Sequence, residues 1–430
     1  MEKNRIISIS VISMTALIIT IVTVKMNGFN QGFVIKPHNL GQTLAMKQVS
    51  YVDQEGRRAT PTYSDESYFP HSGNSTKNQF HDDRLSGNSK KCLVNILIYK
   101  NGWSLIGRKP TTYRCKNLAC SFKLSYSDRP NSLKMKDIVL LYLRSKWNWS
   151  ELLQVRPAGQ IWIFYSRESP LHDQGIMPPS HLLHETYNWT MTYRHDATIG
   201  ASYGTYIPGE PDVHENDTRN WAAGKTKMAA WMASNCHISG WQRVQFMNKF
   251  SRKYLPVDMY GNCGTLKCPK DERCKAILSK YKFYFALENS LCKEYITEKF
   301  WRNALEYGLV PIVYGAAKED YERIAPPHSL IHLADFRSPE ELVKYLETLD
   351  KNDTLYNEYF DWKKHGRIEV NSLGRTFLPK TFCKMVQKFL EIKNKNEKDV
   401  QSEMPPLKSW WRDSCNQNSH CRVVRKVLKV

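Results

Sequence analysis

Short apolar runs alternate with longer amphipathic stretches over most of the chain. The apolar runs predict buried strands at Leu93–Tyr99, Asp137–Leu143, Ile161–Tyr165, Val257–Tyr260, Phe283–Leu287, Leu309–Tyr314 and Leu330–Leu333. The amphipathic stretches predict helices at Ala222–Ala233, Arg243–Tyr254 and Glu298–Tyr307. Such alternation is typical of parallel sheets covered by helices. We therefore expect an α/β fold of two units facing across a cleft, with their boundary near Tyr206–Pro211.

The first 90 residues follow a different pattern. Residues 6–24 carry no charge and follow Lys3 and Arg5, and their length is close to the ~20 residues that span a bilayer. The positive flank predicts a cytosolic tail at 1–5 and a single transmembrane helix at 6–24 that serves as a signal anchor. A cleaved signal peptide is the alternative. Residues 25–90 are polar and lack apolar periodicity, which predicts a flexible lumenal stem. The remaining chain then divides into an N-terminal domain at 91–212, a C-terminal domain at 213–395 and a C-terminal tail at 396–430.

Sequons and cysteines agree with a lumenal body. Asparagine sequons stand at Asn74, Asn148, Asn188, Asn216 and Asn352. The chain has 11 cysteines, some of them close in sequence, such as Cys115/Cys120, Cys263/Cys268 and Cys415/Cys421. Their spacing matches no zinc motif, so disulfides are the expectation, and the odd number leaves at least one thiol free or paired between chains.

The formal charge of +20 indicates attraction to anions. Lysines and arginines are spread along the chain, and no zinc-finger, RNP or basic-zipper pattern occurs, so we expect no nucleic-acid partner. A nucleotide-sugar ligand would use part of this charge, although dispersed solvated lysines explain most of it. The 12 Trp, 23 Tyr and 16 Phe residues suit a cleft that stacks on sugars, and equally a well-packed core.

The segment Tyr281–Gly315 predicts a strand, a loop, a helix and a second strand. Thr297 is a suitable N-cap, and Gly308 stands where a left-handed C-cap belongs. This order brings the N-terminus of the helix to the carboxyl end of a parallel strand, a position that attracts phosphate. Lys299 adds a full positive charge there, and Glu298 is expected to accept hydrogen bonds from ribose hydroxyls. The alternative, that these residues only cap a surface helix, stays open at this point.

A resemblance to a known family covers roughly residues 90–390. The run FALENSLCKEYITEKFWRNALEYGLVPIVYG closely resembles the signature of the α1,3-fucosyltransferases, family 10 of the glycosyltransferases. The similarity continues in DYERIAPPHSLIHLADFRSPEELVKYLETLD and appears upstream in IWIFYSRESP, YNWTMTYRHDATIGASYG and KTKMAAWMASNC. It implies a GT-B-like fold of two Rossmann-like domains, with GDP-fucose held mainly by the C-terminal one. The predicted anchor, polar stem and large lumenal body are the arrangement expected of a Golgi-resident enzyme, so we expect a type II Golgi membrane protein whose catalytic body lies in the lumen.

The resemblance also implies roles for the donor-binding residues. Glu298 and Lys299 would contact the ribose and the phosphates, and Asn289 and Tyr295 would belong to the same pocket. Arg243 would neutralise the leaving diphosphate, with an ordinary solvated helix residue as the alternative.

The catalytic base implied by the family pattern is Glu168, in the motif R-E-S-P. An inverting transfer needs one carboxylate to take the acceptor's proton, because the leaving GDP requires electrostatic support rather than a proton. Without the resemblance, the sequence would indicate only that Glu168 is a carboxylate in a loop before Pro170. Tyr193, Arg194 and Asp196 match a further block and are expected to shape the cleft.

No D-x-D triplet occurs in the sequence, so we expect no strict metal requirement and no cofactor, with Mn²⁺ at most stimulatory. The cysteine-containing stretch 260–270 and the extra tail favour the N-glycan core over LacNAc or LacdiNAc antennae as acceptor. The expected partners are GDP-fucose, a glycoprotein glycan acceptor and the Golgi membrane. Two alternatives remain: a membrane-anchored, lectin-like glycan-binding protein without transferase activity, and a transferase of the same fold that uses another donor, such as a UDP-sugar.

Overall fold

The computed structural model describes the side chains of residues 92–99, 109–141, 148–172, 178–179, 182, 186–237, 240–269, 271–371, 380–394, 404–415 and 421–429. For residues 7–14, 17–26, 29–35, 51–52, 58–59, 142 and 377–379 it describes the backbone alone. The chain divides into two compact units, residues 1–64 and residues 65–430.

The described parts of the first unit are strands. Ile7–Met14, Leu17–Met26 and Phe29–Ile35 form an antiparallel sheet, and Tyr51–Val52 pairs with Arg58–Ala59. The helix predicted over residues 6–24 is therefore not confirmed. Its Ile, Val and Thr residues suit extended backbone, and an apolar run alone does not distinguish a strand from a helix. None of the helices in the part of the chain that the structure describes is both long and apolar enough to cross a bilayer. The predicted tail 1–5 and most of the predicted stem 25–90 lie outside the described residues.

The second unit begins with a seven-stranded sheet. Its strands, in spatial order, are Ile199–Gly200, Trp189–Thr192, Ile161–Ser166, Ile138–Tyr142, Cys92–Tyr99, Cys120–Ser127 and Thr111–Arg114. All neighbours are parallel except the last pair. A 3₁₀ turn at Pro130–Leu133 and a helix at Trp149–Gln154 connect strands on one side. Alternate side chains of Ile161–Ser166 point to opposite faces of the sheet and enter two different apolar clusters. Because both faces are buried, the sequence of this strand is a nearly continuous apolar run.

A five-stranded, fully parallel sheet follows. Its spatial order is Asp258–Tyr260, Lys227–Met232, Tyr281–Leu287, Val310–Tyr314 and Ile331–His332. The α-helices around it are Arg243–Lys253, Glu272–Leu278, Glu298–Phe300, Lys318–Ile324, Pro339–Lys351 and Asp353–Asn357. Trp301–Glu306 continues the third of these as a π-helix, and Leu333–Asp335 and Glu358–Lys364 are 3₁₀ segments. The predicted α/β architecture with parallel sheets is confirmed.

Several segments outside the two sheets link them. The strand Gly204–Pro208 pairs antiparallel with Gly366–Val370. The helix Phe377–Asn394 then returns to the first sheet, where Phe382, Met385, Val386 and Phe389 enter its core. The tail contacts both sheets. Its first part, Leu407–Trp410 followed by Arg412–Ser414, places Leu407 and Trp411 in an apolar cluster of the first sheet. Its last helix, Arg422–Leu428, packs into the core of the second sheet.

One predicted element is wrong. Residues 222–233 were expected to be an amphipathic helix, but Lys227–Met232 is a strand with a parallel partner on each side. The two alanines and Met232 are compatible with either conformation, and pairing with two neighbours outweighs the local helix propensity. The helix predicted at Glu298–Tyr307 is present, and Gly308 follows it with φ +74° as the predicted C-cap.

All 11 cysteines lie in the described residues, and ten of them form disulfides. The bonds are Cys92–Cys120, Cys115–Cys383, Cys236–Cys263, Cys268–Cys274 and Cys292–Cys415. Cys115 and Cys120 therefore bond to distant partners, whereas Cys268 and Cys274, which are also close in sequence, bond to each other. Cys421 is the free thiol that the odd number requires, and burial raises its pKa.

Candidate active site

Glu168 lies in the loop that follows the strand Ile161–Ser166, and its side chain reaches residues of the second sheet. Its Oε1 accepts hydrogen bonds from the Ser169 amide at 2.9 Å, from Asn289 Nδ2 at 3.3 Å and from the Tyr295 hydroxyl. All three partners donate, which is what an ionised carboxylate needs. The contact joins a carboxylate at the carboxyl edge of one parallel sheet to two side chains at the same edge of the other.

Neighbouring residues fix this loop. The Ser169 hydroxyl lies 2.7 Å from the hydroxyl of Ser290, which is in the loop after the strand Tyr281–Leu287 of the second sheet. Arg167 is buried and donates to the carbonyls of Ala201, Ser202 and Asn371 at 3.1, 3.3 and 3.0 Å. These bonds leave the Glu168 backbone little freedom, so the carboxylate is preorganised.

Tyr295 is buried between the two sheets. Burial, followed by the Glu168 charge, raises its pKa well above the ordinary value, so the hydroxyl stays protonated and donates to Glu168. The Tyr295 ring lies 5.0 Å from that of Tyr193. The sequence-predicted residues Tyr193, Tyr295 and Glu168 are therefore brought together.

A buried ion network surrounds Lys299. Its Nζ lies 3.0 Å from Glu288 Oε2, 2.9 Å from the Thr297 hydroxyl and 3.1 Å from Glu298 Oε1. Glu288 also accepts the Thr297 amide at 2.7 Å. Burial opposes the charge of Lys299, but the two carboxylates outweigh that effect and raise its pKa. Lys299 therefore carries a positive charge at the start of the helix.

Glu288 is one of the site residues that the sequence argument missed. It stands directly after the strand Tyr281–Leu287, at the carboxyl edge where ligands of parallel sheets bind, and its side chain is fully buried. Gly315 has φ +154°, and a Cβ at that position would lie 2.6 Å from Glu288 Cβ, so the glycine is required for this approach.

Arg243 opens the helix Arg243–Lys253 and is buried, not solvated. Its guanidinium donates to the carbonyls of Leu287 at 3.1 Å and Asn235 at 2.9 Å. Burial lowers its pKa, and the nearby charges of Glu288, Glu298 and Glu168 act in the opposite direction. Arg243 thus lies within the electrostatic influence of all three carboxylates.

The segment Tyr193–Asp196 lies beside this site. Arg194 binds Asp196 through two bonds at 2.9 and 2.6 Å, and this pair outweighs the effect of burial and lowers the pKa of Asp196. His195 follows the strand Trp189–Thr192 of the first sheet, and its Nδ1 lies 2.6 Å from the buried carboxylate of Glu294, which is in the loop before the Lys299 helix. Neither the His195–Glu294 contact nor Ser290 was anticipated, because each depends on packing between distant segments.

Among the described residues, one group of three, His195, Asp196 and Glu294, places potential metal-ligand atoms within 4.8 Å of one another. Both carboxylates already face a guanidinium, at 2.6 Å from Arg194 and 3.0 Å from Arg323. Their negative charge is therefore largely compensated, which makes the group a poor match for a divalent cation.

The predicted sequons differ in exposure. Asn148 and Asn352 are exposed helix N-caps, and Asn216 is exposed in a loop. Asn188 is buried, and its Oδ1 accepts hydrogen bonds from Arg156 at 2.7 Å and from the Trp162 amide at 2.8 Å, which disfavours a glycan there. Asn74 lies outside the described residues.

Comparison with known proteins gives matches along both sheets. Residues 222–410 match the family model described as glycosyltransferase family 10 (fucosyltransferase), C-terminal, and residues 91–204 match the model described as fucosyltransferase, N-terminal. The chain is 44% identical over 219 residues to glycoprotein 3-alpha-L-fucosyltransferase A of Drosophila melanogaster, covering 50% of this chain and 42% of the relative.

Two bovine relatives extend the similarity. Alpha-(1,3)-fucosyltransferase 4 of Bos taurus is 34% identical over 268 residues, which is 61% of this chain and 63% of the relative. The chain is also 35% identical over 296 residues to 3-galactosyl-N-acetylglucosaminide 4-alpha-L-fucosyltransferase FUT3 of Bos taurus, covering 68% of this chain and 74% of the relative. The matched region spans less than two thirds of the first two relatives' own length.

Proposed function

The chain belongs to the fucosyltransferases of glycosyltransferase family 10, and we propose that it transfers L-fucose from GDP-fucose to a GlcNAc hydroxyl as an inverting α1,3-fucosyltransferase. The observation that carries the proposal is the contact of Glu168 with Tyr295 and Asn289. It places one oriented carboxylate of the first sheet against the loop that precedes the Lys299 helix. An inverting transfer requires this combination of a single base and an adjacent cationic donor site.

Glu168 is the proposed general base. It takes the proton of the acceptor hydroxyl as that oxygen bonds to the anomeric carbon of fucose, while the bond from the anomeric carbon to the diphosphate oxygen breaks. GDP leaves with the bonding electron pair. The donors around Glu168 Oε1 hold the carboxylate in one orientation during this step.

Lys299 and Arg243 are proposed to support the diphosphate. The three N–H bonds of the Lys299 ammonium match its three oxygen partners, so a phosphate oxygen must replace one of them. Glu298 is the partner to be replaced, because its side chain is 19% exposed whereas that of Glu288 is fully buried. The released Glu298 carboxylate is then available to ribose hydroxyls, the role expected for it from the sequence.

We propose that transfer does not strictly require a metal ion or other cofactor. Two observations support this: Lys299 and Arg243 offer positive charge to a diphosphate once it has displaced Glu298 from Lys299, and the carboxylates of Asp196 and Glu294 are compensated by arginines. Mn²⁺ is expected to stimulate the reaction at most.

The proposed acceptor is a GlcNAc of a glycoprotein glycan. The name of the Drosophila relative specifies a glycoprotein substrate, and that relative shares 44% identity over 219 residues. The cysteine-containing stretch 260–270 and the extra C-terminal tail, as argued from the sequence, favour the N-glycan core over LacNAc or LacdiNAc antennae. The proposed location is the Golgi membrane, with residues 6–24 as the anchor and the two sheets in the lumen.

The test is fucose transfer by the purified full chain from GDP-fucose onto a panel of core, LacNAc and LacdiNAc glycans, with and without EDTA. We expect transfer to a core acceptor that persists in EDTA, and GDP binding by calorimetry. Glycan binding without GDP binding or transfer would instead support a lectin-like protein. Transfer only from a UDP-sugar would reject the proposed donor.

A further inference from the structure

The C-terminal segment Met404–Cys415, here called the strap, crosses from one sheet's side to the other. At its end, Cys415 is bonded to Cys292, and the Lys293 amide donates to the Ser414 carbonyl at 2.9 Å. Cys292 and Lys293 belong to the loop that leads to Tyr295 and the Lys299 helix. The strap is therefore fixed directly to the proposed donor side.

The same strap packs on the first sheet. The ring of Trp411 is buried and lies 5.4 Å from the rings of both Phe164 and Tyr193. Arg194 donates to the Trp410 carbonyl, and its guanidinium carbon lies 4.6 Å from the centre of the Trp410 ring. The strap thus contacts the segment Tyr193–Asp196 through both of its tryptophans.

Two short routes lead from Trp411 to Glu168. Tyr193 lies between Trp411 and Tyr295, with ring distances of 5.4 and 5.0 Å, and the Tyr295 hydroxyl donates to Glu168. Phe164, the other neighbour of Trp411, lies on the strand Ile161–Ser166 that leads into Glu168. All of these aromatic rings are buried, so removing one leaves a void that its neighbours fill by moving.

We propose that the strap is a positioning element of the transfer reaction, in which Trp411 acts through Tyr193 to hold the Tyr295 hydroxyl on Glu168. The Cys292–Cys415 bond fixes the other end, so the strap sets the base and the donor loop relative to each other. This inference rests on the proposed function of Glu168. Trp411 is a positioning residue and does not itself contact the reacting atoms.

The ring of Trp411, and not its N–H, carries this role. The indole nitrogen is buried and has no hydrogen-bond partner among the described residues. A phenylalanine at the same position retains an aromatic face toward Tyr193, whereas alanine removes it. Trp149 provides a matched control, because it belongs to the same apolar cluster but packs at 6.0 Å on Tyr187.

The experiment compares Trp411→Ala, Trp411→Phe and Trp149→Ala in the full chain, measuring kcat, the KM for GDP-fucose, the Kd for GDP and the thermal midpoint. For Trp411→Ala we expect kcat to fall by up to about 100-fold from misplacement of the base, with the Kd for GDP within about twofold of wild type. The acid limb of its kcat–pH profile should move to higher pH, since a bond that favours the ionised carboxylate is weakened. Trp411→Phe should restore most of kcat, and Trp149→Ala should lower the thermal midpoint without the change in pH profile.

A second pair of variants tests the covalent end of the strap. The double variant Cys292→Ala/Cys415→Ala is compared with Cys268→Ala/Cys274→Ala, which removes a bond elsewhere on the second sheet's side. A larger fall in kcat for the Cys292/Cys415 variant supports the inference. Equal kcat values for the two pairs, or a wild-type kcat and pH profile in Trp411→Ala, overturn it while Glu168 remains the base. Absence of fucose transfer by the wild-type chain would instead overturn the proposed function itself.

Discussion

Replacement of Glu288 by glutamine should strongly destabilise the second sheet. Glu288 Oε1 accepts the Thr297 amide at 2.7 Å, and its Oε2 accepts Lys299 Nζ at 3.0 Å. Glutamine turns one of these oxygens into a donor, so either the Thr297 amide or the Lys299 ammonium then faces an N–H group. Breaking a buried ion pair by removing one partner costs roughly 3 to 5 kcal/mol. At about 2 to 4 °C per kcal/mol for a domain of this size, the thermal midpoint should fall by roughly 6 to 20 °C.

Glu298→Gln is the matched control at the same lysine. Its carboxylate lies 3.1 Å from Lys299 Nζ but is partly exposed, so its loss should cost no more than about 1 kcal/mol. Adding Lys299→Met to Glu288→Gln removes the charge that has lost its buried counterion and should recover part of the stability. Unfolding is followed by tryptophan fluorescence during heating. A Glu288→Gln midpoint equal to that of Glu298→Gln would refute the argument that Lys299 depends on Glu288 as its buried counterion.

Three further predictions concern individual contacts. Tyr295→Phe removes the hydrogen bond to the charged Glu168 carboxylate and should lower kcat by about tenfold or more, with the Kd for GDP nearly unchanged in calorimetry. An unaltered kcat would contradict the role of Tyr295 in orienting Glu168. Gly315→Ala should destabilise by about 1 to 3 kcal/mol in urea unfolding, because its Cβ would meet Glu288; wild-type stability would reject the steric argument. Asp196 has a lowered pKa, so its charge stabilises the fold above the unfolded pKa and this contribution is lost as pH falls. The thermal midpoint of Asp196→Asn should accordingly lie below that of wild type at pH 7, and the difference should close below about pH 4; a difference that is constant with pH would contradict it.

Strands that are continuous apolar runs were predictable, whereas the buried strand Trp189–Thr192, in which threonines alternate with apolar residues, was not. Phe283–Leu287 and Leu309–Tyr314 were located to within two residues, and the helix between them was bounded correctly by Thr297 and Gly308. The helix predicted at 222–233 failed because Lys227–Met232 gains its conformation from two neighbouring strands, which no local pattern contains.

The candidate site was only partly accessible from sequence. Glu168, Asn289 and Tyr295 were named on family resemblance, and their mutual contacts emerged only from the packing of the two sheets. Glu288 carried a usable signal, since a carboxylate directly after an apolar strand lies at the ligand-binding edge. Its pairing with Lys299, and the bond between Cys292 and Cys415, depend on segments that the sequence separates and the fold brings together.

The central claim is that Glu168 is the base. The most direct test is to measure kcat for fucose transfer by the Glu168→Gln variant. The control is Glu347→Gln, on the exposed face of the helix Pro339–Lys351. Loss of a general base should lower kcat by about 100- to 10,000-fold, whereas the Kd for GDP and the thermal midpoint stay close to wild type. Glu347→Gln should be fully active. A Glu168→Gln enzyme that is folded, binds GDP and transfers fucose within tenfold of the wild-type rate would contradict the account.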